Sequence, residues 1–265
     1  MIIEAEPLKK MVQLTLQTAF LKPYVPVSLL LIAKPETGKT SVLTTSSYKK
    51  NFIFFTNEIT AKMLNDIVLP QIERKEIRFI IIPDILNCIE KQKSTRQQFL
   101  NFIKTLIEEG VTSTWTYHKR YVAKEPLKCG LITAITTVDF MRVKRYLENI
   151  GLLSRFVPFS YDYAIEKVKK IFQHIEIEEE NEDKLIMMVQ RAKEVKGNPD
   201  LFKEFELIST KLASQYSGYG FRAQVRLQQL AKANALLNKR TEVNREDIEE
   251  IVKLSNWINF DFNPL

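Results

Sequence analysis

Gly38-Lys39-Thr40 carries the clearest chemistry in the chain: a conformationally free glycine, an ammonium and a hydroxyl in succession. They end the stretch Ser28 to Ser41, SLLLIAKPETGKTS, which reads as a buried strand, a phosphate-binding loop and a helix. Gly38 permits a backbone turn that a side chain would block. Successive N–H groups and the helix N-terminus then face an anion. Lys39 would reach the β- and γ-phosphates of a nucleotide, and the Thr40 hydroxyl would hold Mg²⁺. The loop expected to wrap the phosphates comprises Ala33, Lys34, Pro35, Glu36, Thr37, Gly38, Lys39, Thr40 and Ser41, with Ala33 standing where GxxxxGK[ST] has its first glycine. A second anchor for the metal is expected at the end of a neighbouring strand. Asp84, directly after FIII and Pro83, occupies that place and reads as the Walker B aspartate.

The elements that must position these groups follow from periodicity. Leu8 to Phe20 has helical spacing and stops near Lys22-Pro23. Strands are expected at Ser28–Ile32, Asn51–Phe55, Arg78–Ile82, Leu131–Thr136 and Phe156–Tyr161. The helices between them are expected at Thr60–Ile72, interrupted near Pro70, at Thr95–Glu109 and at Asp139–Asn149. Val111–Tyr117 alternates in the β manner and Tyr121–Lys128 can return beside it, so a hairpin is expected with Lys119-Arg120 near its tip. This alternation predicts a doubly wound α/β domain over residues 1–162, with the hairpin at 111–130. Beyond it the β signal stops. Ile165–Ile175, Lys184–Val195, Asp200–Gln215, Arg222–Leu237 and Arg245–Trp257 read as helices of a second, all-helical domain over residues 163–265. Asn244 or Thr241 is the expected N-cap of the last, and the acidic run Glu176–Asp183 reads as a solvated linker or helix end.

Bulk composition narrows the function classes. A chain of 265 residues with 45% hydrophobic and 27% charged residues suits one large or two small globular domains. Cys88 and Cys129 with His118 and His174 show no ligand-like spacing, which argues against a zinc site or a disulfide framework. Two reduced thiols in a cytoplasmic protein are expected instead. MIIEAEPLKK lacks the order of a signal peptide, and no run of ~18 apolar residues could span a membrane. A net charge of +7 mildly favours a polyanionic partner.

With these landmarks in order, the chain resembles the AAA+ ATPase superfamily over nearly its whole length. GLITAITT is similar to the sensor-1 strand and puts Thr136 at its polar residue, where Asn is commoner. LLSRF within GLLSRFVPF resembles the segment of the minichromosome maintenance helicases whose Arg acts in trans as an arginine finger, here Arg155. GFRAQVRLQQLAKANAL resembles the sensor-2 helix of those helicases and of MoxR-type proteins, with Arg222 at the sensor position, and TEVNREDIEEIVKL resembles their last helix. The resemblance implies a P-loop core with a helical lid, ATP and Mg²⁺ as ligands, and hydrolysis by Lys39, Asp84, Thr136, Arg155 and Arg222. It places Lys39 and Arg222 in one subunit and Arg155 in its neighbour, within a homo-oligomeric ring, a hexamer by analogy. The family normally has Glu directly after the Walker B Asp; here that residue is Ile85. Either Glu90 or Glu109 substitutes, or the chain hydrolyses ATP poorly.

The expected hairpin sits just before the sensor-1 strand, where a branch of this superfamily carries a pore-facing hairpin that often touches DNA. Lys119, Arg120, Lys124 and Lys128 alternate there with Trp115, Tyr117 and Tyr121, and cations with rings suit a nucleic-acid strand. The helix-2 insertion of the helicase and MoxR groups is not evident between Phe55 and Arg78, which argues against a full replicative helicase. The charge of the hairpin makes a DNA-acting motor the leading expectation. A MoxR-like protein remodeller and a nucleotide-gated assembly module are the alternatives.

Overall fold

Short runs of apolar residues form the centre of the molecule, because strands buried on both faces must find backbone partners on both sides. A computed structural model of the chain describes residues 5–47, 50–115, 120–175, 188–216 and 218–265. The chain opens with α1 (Glu6–Gln17), a 3-10 turn Thr18–Phe20 and β1 (Leu21–Lys22). It continues through β2 (Leu29–Ala33), α2 (Lys39–Ser47) and β3 (Ile53–Phe55). An irregular helix follows: α3 (Ala61–Met63), a π turn Leu64–Val68 and α4 (Leu69–Glu73). The widened turn lies just before Pro70, which has no N–H to return to the preceding turn. Next come β4 (Phe79–Ile82), α5 (Leu86–Ile89) and α6 (Lys93–Ile107). The hairpin of β5 (Val111–Trp115) and β6 (Arg120–Leu127) leads to β7 (Gly130–Thr136), α7 (Thr137–Asn149), a 3-10 turn Leu153–Arg155 and β8 (Val157–Ser160).

Strands β2, β4 and β8 are buried along their whole length. The sheet order is β3-β4-β7-β2-β8, all parallel, with Leu29–Ala33 in register with Ile132–Thr136 on one side and Leu29 opposite Val157 on the other. The chain leaving β2 therefore skips two strands to reach β3. Such a change of direction opens a crevice at the carboxyl ends of the strands, and the loop after β2 sits there.

The second part holds α8 (Ile165–Ile175), β9 (Lys193–Glu194), α9 (Pro199–Phe202), α10 (Phe205–Ser214), α11 (Phe221–Leu237) and α12 (Arg245–Leu254). Asn244 caps α12 in a capping box with Asp247, and the buried Asp247 carboxylate also accepts 2.8 Å bonds from Asn234 and Arg240. Two expected helices differ. The described part of Lys184–Val195 is not helical: Lys193 and Glu194 form a parallel ladder with Leu21 and Lys22, and Gln17 exchanges two hydrogen bonds with the backbone of Val189. Asp200–Gln215 divides into α9 and α10, and the break lets Phe202 and Phe205 both turn inward with rings 6.0 Å apart. The acidic run at 176–183 lies outside the described residues.

Helix α1 buries Leu8, Met11, Val12, Leu14 and Leu16 and packs against α11, so the N-terminal helix and the last helices share one core. Cys88 and Cys129 are free and buried, and burial pushes both thiols above their ordinary pKa. Among the described residues no helix is long and apolar enough to cross a membrane.

Candidate nucleotide-binding site

The loop between β2 and α2 turns on two left-handed residues, Glu36 (φ 63°) and Gly38 (φ 79°). This aims the start of α2 into the crevice. Lys39 folds back inside the loop. Its Nζ donates to the Ala33 carbonyl at 2.8 Å, to the Lys34 carbonyl and to Thr37 Oγ1 at 3.1 Å. The loop is held from below as well. Tyr161 and Tyr163 both donate their hydroxyls to the Thr37 carbonyl, at 3.1 and 2.8 Å, and Lys34 pairs with Asp162 at 2.5 Å. Sequence reasoning missed this tyrosine pair, for which YDY after a strand is the only signal.

A 380 Å³ cavity faces this loop. Residues 35–41 line one wall, and Pro83, Asp84 and Ala134–Thr136 line the other. Lys39, Thr40, Asp84 and Thr136, up to 97 positions apart in the sequence (39 to 136), thus share one cavity. Asp84 Oδ1 accepts the Leu86 N–H at 2.9 Å, which starts α5 and fixes the carboxylate at the strand end. Thr136 caps α7: its oxygen accepts the Asp139 N–H at 3.2 Å and its hydroxyl donates to the Asp139 carboxylate at 2.5 Å. Asp139 was missed in the sequence, although Thr-x-x-Asp before a helix is a capping signal. A lysine, a threonine hydroxyl and an aspartate around one cavity fit a Mg²⁺-bound polyphosphate.

Burial lowers the Lys39 pKa to about 8, partly opposed by the attraction of Asp84. An anion binds the protonated lysine, so affinity should be level below that pH and decline above it as the proton is lost. ATP dissociation constants measured from about pH 7 to about pH 9.5 are expected to rise on the alkaline side by up to about tenfold per unit. Lys39→Arg, which keeps its charge, should flatten the slope. A flat profile in the parent chain would show that Lys39 stays charged throughout.

Ile85 is only 1% exposed, and its N–H is tied to the Ala134 carbonyl at 3.0 Å. The residue after Asp84 therefore points into the core, and no acid takes the place of the family's glutamate there. Neither substitute expected from the sequence lines the cavity. Glu90 pairs with Arg142 at 2.5 Å, which also holds Asp139 at 3.0 Å. Glu109 lies at the other edge of the sheet. The carboxylates lining the cavity belong to Glu36 and Asp84.

Arg155 precedes β8, which runs parallel to β2, so it lies at the amino edge of the sheet. The five residues of β2 separate that edge from the loop by about 15 Å. Arg155 donates to the Gly151 carbonyl at 2.7 Å and to Glu109 at 2.9 Å. Arg222 joins it there, bonded to Glu108 at 3.0 Å and to Ser154 Oγ at 3.2 Å. The expectation that Arg222 stands with Lys39 is thereby corrected: α11 packs on the turn at Leu153–Arg155, which carries its first residues to the Arg155 edge. Arg226, which the sequence reading passed over, lies beneath them, bonded to Glu108 at 2.6 Å and to the Ser154 carbonyl at 2.5 Å. Burial lowers its pKa while Glu108 opposes the shift.

On the hairpin, Trp115 is 68% exposed and Arg120 lies over its ring at 4.2 Å. Lys124 is exposed; Tyr121 is not free, because its hydroxyl bonds Glu73 at 2.7 Å and anchors β6 to α4. Lys119 and Tyr117 lie outside the described residues.

Residues 208–255, from within α10 through α12, match the family model of the AAA lid domain, and the five-stranded parallel core ahead of them is consistent with an AAA+ fold. No curated protein matches the chain.

Proposed function

We propose that this chain is an AAA+ ATPase that binds ATP and Mg²⁺ in the crevice beyond β2 and works as a ring-forming motor on DNA. One observation carries the ring: Lys39, Asp84 and Thr136 line one cavity, while Arg155 and Arg222 lie together at the opposite edge. These are two half-sites that only a neighbouring copy can join. The exposed, stacked pair Tyr219–Phe221, 5.8 Å between ring centroids, precedes Arg222 and offers that neighbour an apolar contact. In this reading Lys39 holds the terminal phosphates, and Thr40 and Asp84 hold Mg²⁺, whose charge offsets that of the phosphates. Arg155 and Arg222 of one copy meet the charge that develops at the γ-phosphate of the next. Thr136, oriented by Asp139, faces the same place from within the subunit. The resemblance to the minichromosome maintenance branch and the cation–ring pair of Arg120 and Trp115 support DNA as the substrate.

Ile85 supports a second reading. With a core isoleucine where a water-orienting acid is usual, the chain would bind ATP, assemble and turn over slowly. Turnover of the purified protein, with and without single- and double-stranded DNA, separates the readings. A DNA motor is expected to be stimulated by DNA. Arg120→Glu should then weaken DNA binding and lower its salt slope by about one, as one lost phosphate contact predicts. Turnover indifferent to DNA would move the assignment to a protein remodeller. ATP binding without turnover would make the chain a nucleotide-gated assembly module.

A further inference from the structure

We infer that Glu108 and Glu109 link the nucleotide of one subunit to the hairpin of the next. The inference rests on the ring reading above. Helix α6 ends at Ile107; the next two residues are the acids that hold Arg155, Arg222 and Arg226; Gly110 follows, and β5 starts at Val111. One glycine separates the arginine-holding pair from the hairpin.

That glycine is wedged. Gly110 has φ 91°, donates its N–H to the Thr105 carbonyl at 2.7 Å, and a Cβ there would lie 2.8 Å from Cβ of Pro126 on the opposite strand. Across the base, Val111 pairs with Leu127, and the Cys129 N–H bonds the Leu106 carbonyl at 3.2 Å. Both hairpin strands are therefore clamped to the last turn of α6. A displacement of Glu108 and Glu109 reaches β5 and β6 with little slack.

A neighbour's polyphosphate competes with these acids for the same guanidinium donors. Arg155 has a buried Nε without a hydrogen-bond partner, and Arg222 is partly exposed. When both turn outward to phosphate, Glu109 loses its partner and Glu108 keeps only Arg226. Two adjacent carboxylates, less neutralised, then leave the arginine face, and the hairpin base moves with them. Glu108 and Glu109 act as positioning residues: they set the arginines and report their departure.

Trp115 on β5 supplies the readout, its signal isolated by difference against Trp115→Phe. The test mixes two chains without DNA. Lys39→Ala subunits carry Trp115 but hold no nucleotide; Trp115→Phe subunits hold nucleotide but lack that ring, and the Trp257 signal common to both is removed by a matched mixture in which the Lys39→Ala subunits also carry Trp115→Phe. ATP with Mg²⁺ is expected to change acrylamide quenching of Trp115 in the mixture and not in Lys39→Ala alone. The change should vanish when the Lys39→Ala subunits also carry Glu108→Gln or Glu109→Gln. Glu109→Gln decides the matter if Glu108→Gln, which strands the buried Arg226, fails to fold. A mixture that binds a fluorescent ATP analogue and assembles, yet shows no Trp115 change, overturns the link and leaves the proposed function standing. So does a change that survives the folded Glu→Gln variants. A parent chain that does not bind the analogue overturns the proposed function and the link together.

Discussion

Lys39→Ala is expected to abolish the stabilisation that ATP gives the protein. With ligand at 100 times its dissociation constant, the parent chain should gain about 2.7 kcal/mol, read as a rise in melting temperature. The variant should gain nothing measurable at the same concentration. The lysine is buried within the loop and is the cation that the cavity presents to phosphate. Its removal also takes the ammonium donor from the Ala33 and Lys34 carbonyls, the second of which keeps the Thr37 hydroxyl at 2.8 Å, at a cost of about 1–3 kcal/mol to the unliganded protein. The ATP-dependent difference, not the absolute melting point, is therefore the quantity to compare. A full shift in Lys39→Ala would sink the assignment of the loop.

Arg155→Ala and Arg222→Ala are expected to do the reverse, leaving ATP binding near that of the parent and lowering turnover by about 10³-fold or more, the usual scale for an arginine supplied in trans. Both side chains stand at the amino edge of the sheet, too far from their own loop to touch the nucleotide bound there. Mixing provides the decisive form of the test. Lys39→Ala and Arg155→Ala chains, each inactive alone, should recover part of the turnover together, because one contributes the loop and the other the arginine. If mixing restores nothing while the two chains co-assemble, Arg155 does not act across an interface. Equal losses of binding and turnover in either arginine variant would count against both roles.

The fold was legible wherever one local signal dominated. LLLIA and FIII are uninterrupted apolar runs with turn residues after them, and both became central strands. Asn244 was one of two expected caps, with Thr241, for the last helix, and a capping box with Asp247 makes it the one used. Alternation in 111–128 gave the hairpin, although its ladder carries an irregularity between Val111 and Ser113. What stayed hidden depends on contacts between distant segments. Two residues of β9 have no period to detect; they are a strand only because Leu21 and Lys22 lie alongside. The absence of a glutamate at position 85 was visible, whereas the inward direction of Ile85 follows from the Ala134 carbonyl pinning its backbone. Arg222 was correctly placed at the start of a helix, but its distance from Lys39 is set by how α11 docks, which no local pattern encodes. Asp139 and Arg226 escaped notice because each works through a neighbour that had already been singled out.

The packing of α1 on α11 bears on how the chain is made. The apolar stripe of residues 6–17 leaves the ribosome well before much of its cover, residues 221–237, which is synthesised more than 200 positions later (6 to 221). At about 5–20 residues per second, that stripe waits on the order of ten seconds or longer for its partner. During that interval the nascent parallel sheet also lacks its closing helices, a topology that folds slowly for the same reason of distant pairing. The strongest demand for a chaperone should therefore fall on the half-made chain, and truncations that remove the last helices should appear as aggregates rather than as smaller folded proteins.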